Sequence, residues 1–142
     1  MSNTSSIKPS IYNFENDPYN YIMKIIGNRW NIFIIQGIAT DGATRFSRFT
    51  KQLPISEKVL TTALKQLESD GIIERTVYPE VPARVEYSLT NTGNSILPIL
   101  NAMYDWSWRR MTDLGMEIDP LGEMWRGYRE IDSSAMQDPY KK

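Results

Sequence analysis

The chain contains neither cysteine nor histidine. Without cysteine there is no disulfide, no thiolate nucleophile and no zinc–thiolate site. Without histidine the commonest general base and the commonest transition-metal ligand are gone as well. Carboxylates remain, but Asp105, Asp113 and Glu117 are spaced like solvated charges rather than metal ligands. A glycine-rich phosphate loop is also missing. The sequence therefore argues against an enzyme and calls for no cofactor. No segment approaches the roughly 18 consecutive apolar residues of a membrane span. Residues 1–10 lack the apolar stretch of a secretory signal. The expectation is a cytoplasmic protein with no membrane partner. A strong net charge is absent too. The formal charge is −1, so any affinity for nucleic acid must come from local charge placement.

What is present suits one modest globular core. The chain is 41% hydrophobic and 23% charged, too apolar for a disordered polypeptide. Residues 1–16 are polar and Asn/Ser-rich and read as a flexible arm. Asp17-Pro18 reads as an N-cap followed by proline at the first helical position. Tyr21, Ile22, Ile25 and Ile26 give that helix an apolar face, and Gly27 stops it. Asn28 is placed to cap a second helix carrying Trp30, Ile34, Ile35 and Ile38, which ends at Asp41-Gly42. Trp30, among these isoleucines, reads as core. Thr44 is placed to cap a short third helix with Phe46, Phe49 and Leu53 on its buried side, broken by Pro54. Ser56 caps a fourth, over 57–70, and Gly71 lies just past its end.

The periodicity then changes. Ile73 and Val77, then Val85, Tyr87 and Leu89, alternate with polar neighbours at period two, which predicts two strands. Residues 79–83 form a proline-bracketed tip between them. Thr90 caps a last, long helix, in which Gly93 and Pro98 lower the helix propensity. Residues 113–142 hold seven acidic and four basic side chains. They read as an acidic extension with a short helix over 124–131. The fold class is mainly α with a small antiparallel β-wing: a winged helix-turn-helix over residues 17–112.

The helix over 57–70 carries the functional signal. At about 100° per residue, Leu60, Ala63, Leu64 and Leu67 share one face. The opposite face presents Lys58, Thr61, Thr62, Lys65 and Ser69. Amines and hydroxyls without a central carboxylate suit a DNA major groove, where phosphates and base edges are both within reach. Alone, such a face is also what an ordinary solvated helix presents. Its surroundings favour DNA. Arg45, Arg48, Lys51, Lys58 and Lys65 fall in one short stretch with a single acid, Glu57. Arg45 is placed in the first turn of the third helix, where backbone N–H groups also meet phosphate. Arg84 sits at the base of the wing over 76–88, within reach of a minor groove. The candidate DNA-binding residues are thus Arg45, Ser47, Ser56, Lys58, Thr61, Thr62, Lys65 and Arg84, with double-stranded DNA as the partner. The other reading, a winged helix used only for protein contacts, would call for apolar residues on the outer helix face.

The last helix is apolar over too wide an arc for one small domain to cover. A partner helix is the simplest answer. Tyr21, Ile22, Ile25, Leu97, Leu100, Met103, Tyr104, Trp108 and Met111 are accordingly the candidate dimer interface. A pocket for a small apolar effector, lined by Trp108, Met103 and Met111, is the alternative use of the same surface.

These segments together resemble the HxlR family of bacterial winged-helix regulators, relatives of the MarR group. The resemblance rests on Ile26-Gly27-Asn28-Arg29-Trp30, Arg45-Phe46-Ser47 and Ile55-Ser56-Glu57-Lys58-Val59-Leu60-Thr61. It continues through Leu64-Lys65-Gln66-Leu67-Glu68-Ser69-Asp70-Gly71 and a long wing run from Val77-Tyr78-Pro79-Glu80 through Ala83-Arg84-Val85-Glu86-Tyr87-Ser88-Leu89-Thr90. Leu97-Pro98-Ile99-Leu100 and Trp106 complete it. It implies a homodimeric regulator, most often a repressor, joined through its first and last helices. Many members carry a redox-sensing cysteine directly before the proline of the first helix. This chain has Asp17 there, so sensing by cysteine oxidation is excluded.

Overall fold

The computed structural model describes residues 12–119. Residues 1–11 of the expected arm, the helix expected over 124–131 and most of the acidic extension lie outside the described residues. A short 3-10 turn, Phe14–Asn16, leads into α1 (Pro18–Ile26) and α2 (Asn31–Asp41). A two-residue strand, β1 (Thr44–Arg45), runs directly into α3 (Phe46–Gln52). Then come α4 (Glu57–Ser69), β2 (Ile73–Tyr78), β3 (Arg84–Leu89) and α5 (Asn91–Asp113). The sheet is antiparallel in the order β1-β3-β2.

Local chemistry sets most boundaries. The Asp17 carboxylate accepts the backbone N–H groups of Tyr19 and Asn20, ahead of Pro18 at the first helical position. The Tyr12 hydroxyl also donates to Asp17. This bond, followed by those backbone donors, holds the Asp17 carboxyl below its ordinary range. Ser56 accepts from Val59 N–H at the start of α4, and Thr90 from Gly93 N–H at the start of α5. At the end of α4, Gly71 adopts φ +74°, a conformation that costs glycine little.

Three expectations, those for Thr44, Arg45 and Asn28, need correction. Thr44 does not cap α3. Its backbone pairs with Tyr87 in the sheet and its hydroxyl donates to the Gly42 carbonyl, leaving Arg45 at the cap position. Arg45 accordingly stands before the helix in extended backbone, not within its first turn. Asn28 caps a turn rather than α2: its Oδ1 accepts Trp30 N–H at 2.8 Å, and the helix begins at Asn31. Gly93 does more than lower helix propensity. A Cβ there would lie 2.1 Å from the Ile72 carbonyl oxygen, so only glycine lets α5 come so close to the chain entering β2. Helix α5 runs unbroken through Pro98.

The core is one cluster. Ile34, Ile35 and Ile38 of α2 meet Phe49, Leu60, Leu64 and Leu67 from α3 and α4. Ile72, Ile73 and Tyr87 from the wing base and Ile96, Leu97 and Leu100 from α5 close it, with Trp30 packed at its edge. Helix α2 is buried nearly all round, so α1, the sheet and α5 all pack against it. The hairpin reaches beyond this cluster: Ile73 is buried while Val77, four residues on, is half exposed. That projection is what makes the hairpin a wing.

Candidate nucleic-acid interface

Helices α3 and α4 enclose the tight turn at 53–56 and form the helix-turn-helix. Phe49 and Leu53 anchor the first helix, and Leu60, Ala63, Leu64 and Leu67 the second. The outward face of α4 then follows from the helical period alone. Lys58, Thr61, Thr62, Lys65 and Ser69 are all exposed, as the sequence predicts. Among the described residues, Lys58 and Lys65 form no ion pair, so both ammonium groups face solvent uncompensated. The two threonines differ. Thr62 Oγ1 donates to the Lys58 carbonyl at 3.0 Å, which leaves it only acceptor capacity. Among the described residues Thr61 has no such internal bond and keeps both donor and acceptor. The cap bond to Val59 N–H uses a lone pair of Ser56 Oγ and leaves its O–H to donate outward. Sequence reasoning passed over Val59 and Gln66, both exposed on the flank of this face.

A second positive area lies beside it. Arg45, Ser47, Arg48 and Lys51 line an open depression together with Asp41, Ala43 and Thr44. Arg48 is tied to Asp41 at 3.1 Å, whereas Arg45 and Lys51 form no ion pair among the described residues. Arg48 and Lys51 were legible as part of the basic stretch. That α3 and β1 bring them around one depression with Arg45 and Ser47 was not.

The wing arginine has a different environment. In the antiparallel register Tyr78 faces Arg84 and Thr76 faces Glu86, and on the other side of β3 Glu86 also faces Arg45 of β1. Side chains two apart share a face, so Arg84 and Glu86 lie together on the surface opposite Tyr87. Arg84 Nε donates to Glu80 at 2.7 Å and Nη1 to Glu86 at 2.6 Å. Its guanidinium carbon sits 3.8 Å from the centre of the Tyr78 ring. The two carboxylates, Glu80 first, hold the Arg84 pKa above its ordinary value. The alternation Arg84-x-Glu86 could have signalled one of these pairs. The Glu80 contact depends on how the tip folds back.

Of the interface candidates on α1 and α5, Ile25, Leu97 and Leu100 are not available to a partner. They are buried in the protomer's own core, because α1 and α5 must first cover α2. Ile22 is partly buried against the same core. Tyr21 and Met103 are exposed, while Tyr104, Trp108 and Met111 are half-buried. Tyr19, Met23 and Ile99, which the sequence reading did not select, are exposed as well, and so is Trp106 at 58%. Among the described residues no helix is long and apolar enough to cross a membrane.

Comparison with known proteins places this geometry. Residues 25–115 match the model of the HxlR-like helix-turn-helix family. An uncharacterised HTH-type transcriptional regulator of Halalkalibacterium halodurans is 39% identical over 100 residues, covering 70% of this chain and 88% of that protein. The HTH-type transcriptional regulator YdeP of Bacillus subtilis, also uncharacterised, is 42% identical over 94 residues, or 66% and 73% of the two chains. Among solved structures, the redox regulator HypR in its reduced form is similar with a TM-score of 0.65 and 36% identity. That match covers 70% of this chain and 98% of HypR.

Proposed function

The chain belongs to the HxlR-like helix-turn-helix family, a winged-helix transcriptional regulator and not an enzyme, and from that premise we propose that it is a cytoplasmic homodimeric repressor. In this reading α4 enters the major groove, with Lys58, Lys65 and Arg45 neutralising phosphates and Thr61 and Thr62 meeting base edges. Ser47 and Ser56 donate to the DNA backbone from the starts of α3 and α4, and Arg84 meets the duplex beside the minor groove. The observation that carries this is the outward face of α4: two unpaired ammonium groups flank exposed hydroxyls over a fully buried apolar stripe. A module for protein contacts alone would present apolar anchors there, and Val59 is the one large apolar residue on that side. Repression as the outcome rests on the resemblance to the family. A homodimer is supported by the exposed aromatic and methionine side chains of α1 and of the second half of α5. An apolar effector would bind on that same half of α5, at Met103, Trp108 and Met111.

The test is binding of a random-sequence duplex across a range of salt. The logarithm of the association constant should fall linearly with the logarithm of salt, at about −0.9 per neutralised phosphate. Lys65→Ala should weaken binding to all sequences and reduce that slope by about one unit. A salt-independent association, or none, would refute the reading.

A further inference from the structure

The wing arginine enters this scheme already paired. Its two partners are unlike each other. Glu86 belongs to β3, the middle strand, bonded on both sides, and its side chain is 18% exposed. Glu80 belongs to the tip, outside any strand, and its side chain is 50% exposed. The two carboxylates also use different nitrogens of the guanidinium, Nη1 for Glu86 and Nε for Glu80. Either bond can therefore be lost without breaking the other. With Glu86 and the Tyr78 ring still in place, the guanidinium stays on the same face of the wing when Glu80 leaves.

We propose that Glu80 is the displaceable partner of Arg84: a phosphate of the duplex takes its place on the guanidinium, and Glu80 thereby sets how strongly the wing holds DNA. This rests on the reading of the chain as a DNA binder. The exchange swaps one anion for another at Nε, so Arg84 adds less to affinity than an unpaired arginine would. It also leaves Glu80 as an uncompensated negative charge close to the phosphates. Glu86 and Tyr78 act as positioning groups that keep the arginine aimed while the exchange takes place.

The experiment uses the full chain and a labelled random-sequence duplex, comparing the unmodified protein with Glu80→Gln, Arg84→Gln and the double variant. Glutamine keeps the length of Glu80 and removes its charge. Glu80→Gln is expected to bind two- to five-fold more tightly at moderate salt, roughly what an exposed ion pair contributes. Its salt slope should steepen by about 0.9, since Arg84 then meets phosphate as an unspent cation. In the Arg84→Gln background the same change should tighten binding clearly less, the remainder being relief of repulsion between Glu80 and the phosphates. Equal tightening in that background would mean that Glu80 acts only by long-range repulsion, and would overturn the proposal. Unchanged binding by Glu80→Gln, while Lys65→Ala still weakens the complex, would overturn it and leave DNA binding by α4 intact. Weaker binding by Glu80→Gln would make Glu80 a builder of the wing and also overturn it. No salt-dependent binding by the unmodified chain would overturn both this proposal and the reading beneath it.

Discussion

Helices α4 and α5 solve the same problem to different degrees. Every large aliphatic side chain of α4 except Val59 lies inside, and what remains outward is polar: Lys58, Lys65 and the hydroxyls of Thr61, Thr62 and Ser69, with Glu57, Gln66 and Glu68 exposed as well. Helix α5 begins in the same way, with Ile96, Leu97 and Leu100 in the core. Past Asn101 the pattern fails. Met103 and Trp106 are exposed, and Tyr104, Trp108 and Met111 are only half covered. A helix finished within its protomer offers a polar surface to a polar ligand. A helix left unfinished offers apolar surface, which water disfavours and another protein surface can cover. The proposed function matches this contrast, with DNA on α4 and a second copy of the chain on α5.

The largest expected effect tests whether α4 is as complete as its burial implies. Leu64 is 1% exposed in the middle of the core, and truncation to alanine should cost about 2–5 kcal/mol by lost transfer energy and a residual cavity. Denaturant unfolding would show it as a lower midpoint at unchanged slope. A cost under 1 kcal/mol would mean that α4 is loosely held and its outward face poorly fixed.

Next in size is the unfinished half of α5. Trp106→Glu places a charge where the proposed dimer would bury an indole, and the loss of such an anchor typically weakens association by about 2–4 kcal/mol. Sedimentation at micromolar concentration should then show a monomer where the unmodified chain is a dimer. The thermal midpoint at high dilution should hardly move, because Trp106 is already exposed in the protomer. A dimer that survives the change would place the interface elsewhere and leave the contrast between the helices unexplained.

The smallest effect separates the two threonines of α4. Because the Thr62 hydroxyl is spent on the Lys58 carbonyl, Thr61→Ala should lose more than Thr62→Ala. If one good base contact goes, about 1–3 kcal/mol disappears from binding to the operator selected from genomic DNA. Affinity for random duplex should stay level, since phosphates set that term. Equal losses on both DNAs would make Thr61 a backbone contact.

Much of this was legible beforehand because it depends on neighbours in the chain. The caps Asp17, Ser56 and Thr90 bond to backbone N–H groups two or three residues on, and short-range chemistry of that kind can be read from a window of residues. The two faces of α4 follow from its period. Strand β1 could not be found in this way. Its two residues have no pattern of their own, and only pairing with Tyr87 and Glu86, some forty positions later, makes them a strand. The same long-range pairing removed Thr44 from its expected role as a cap.

Sequence alone determined that cysteine-based sensing and histidine chemistry are excluded, that a helix-turn-helix and a wing follow in that order, and that the outer face of α4 is cationic. Composition and periodicity carry that information directly. Only tertiary structure decided which apolar residues were spent and which cations were neutralised. Ile25, Leu97 and Leu100 look like interface residues on their own helices, yet α2 needs covering and takes them. Arg84 reads as an unpaired cation until the tip folds back and brings Glu80 to its Nε. Burial and charge pairing depend on what the rest of the chain brings alongside, and a single segment does not contain its neighbours.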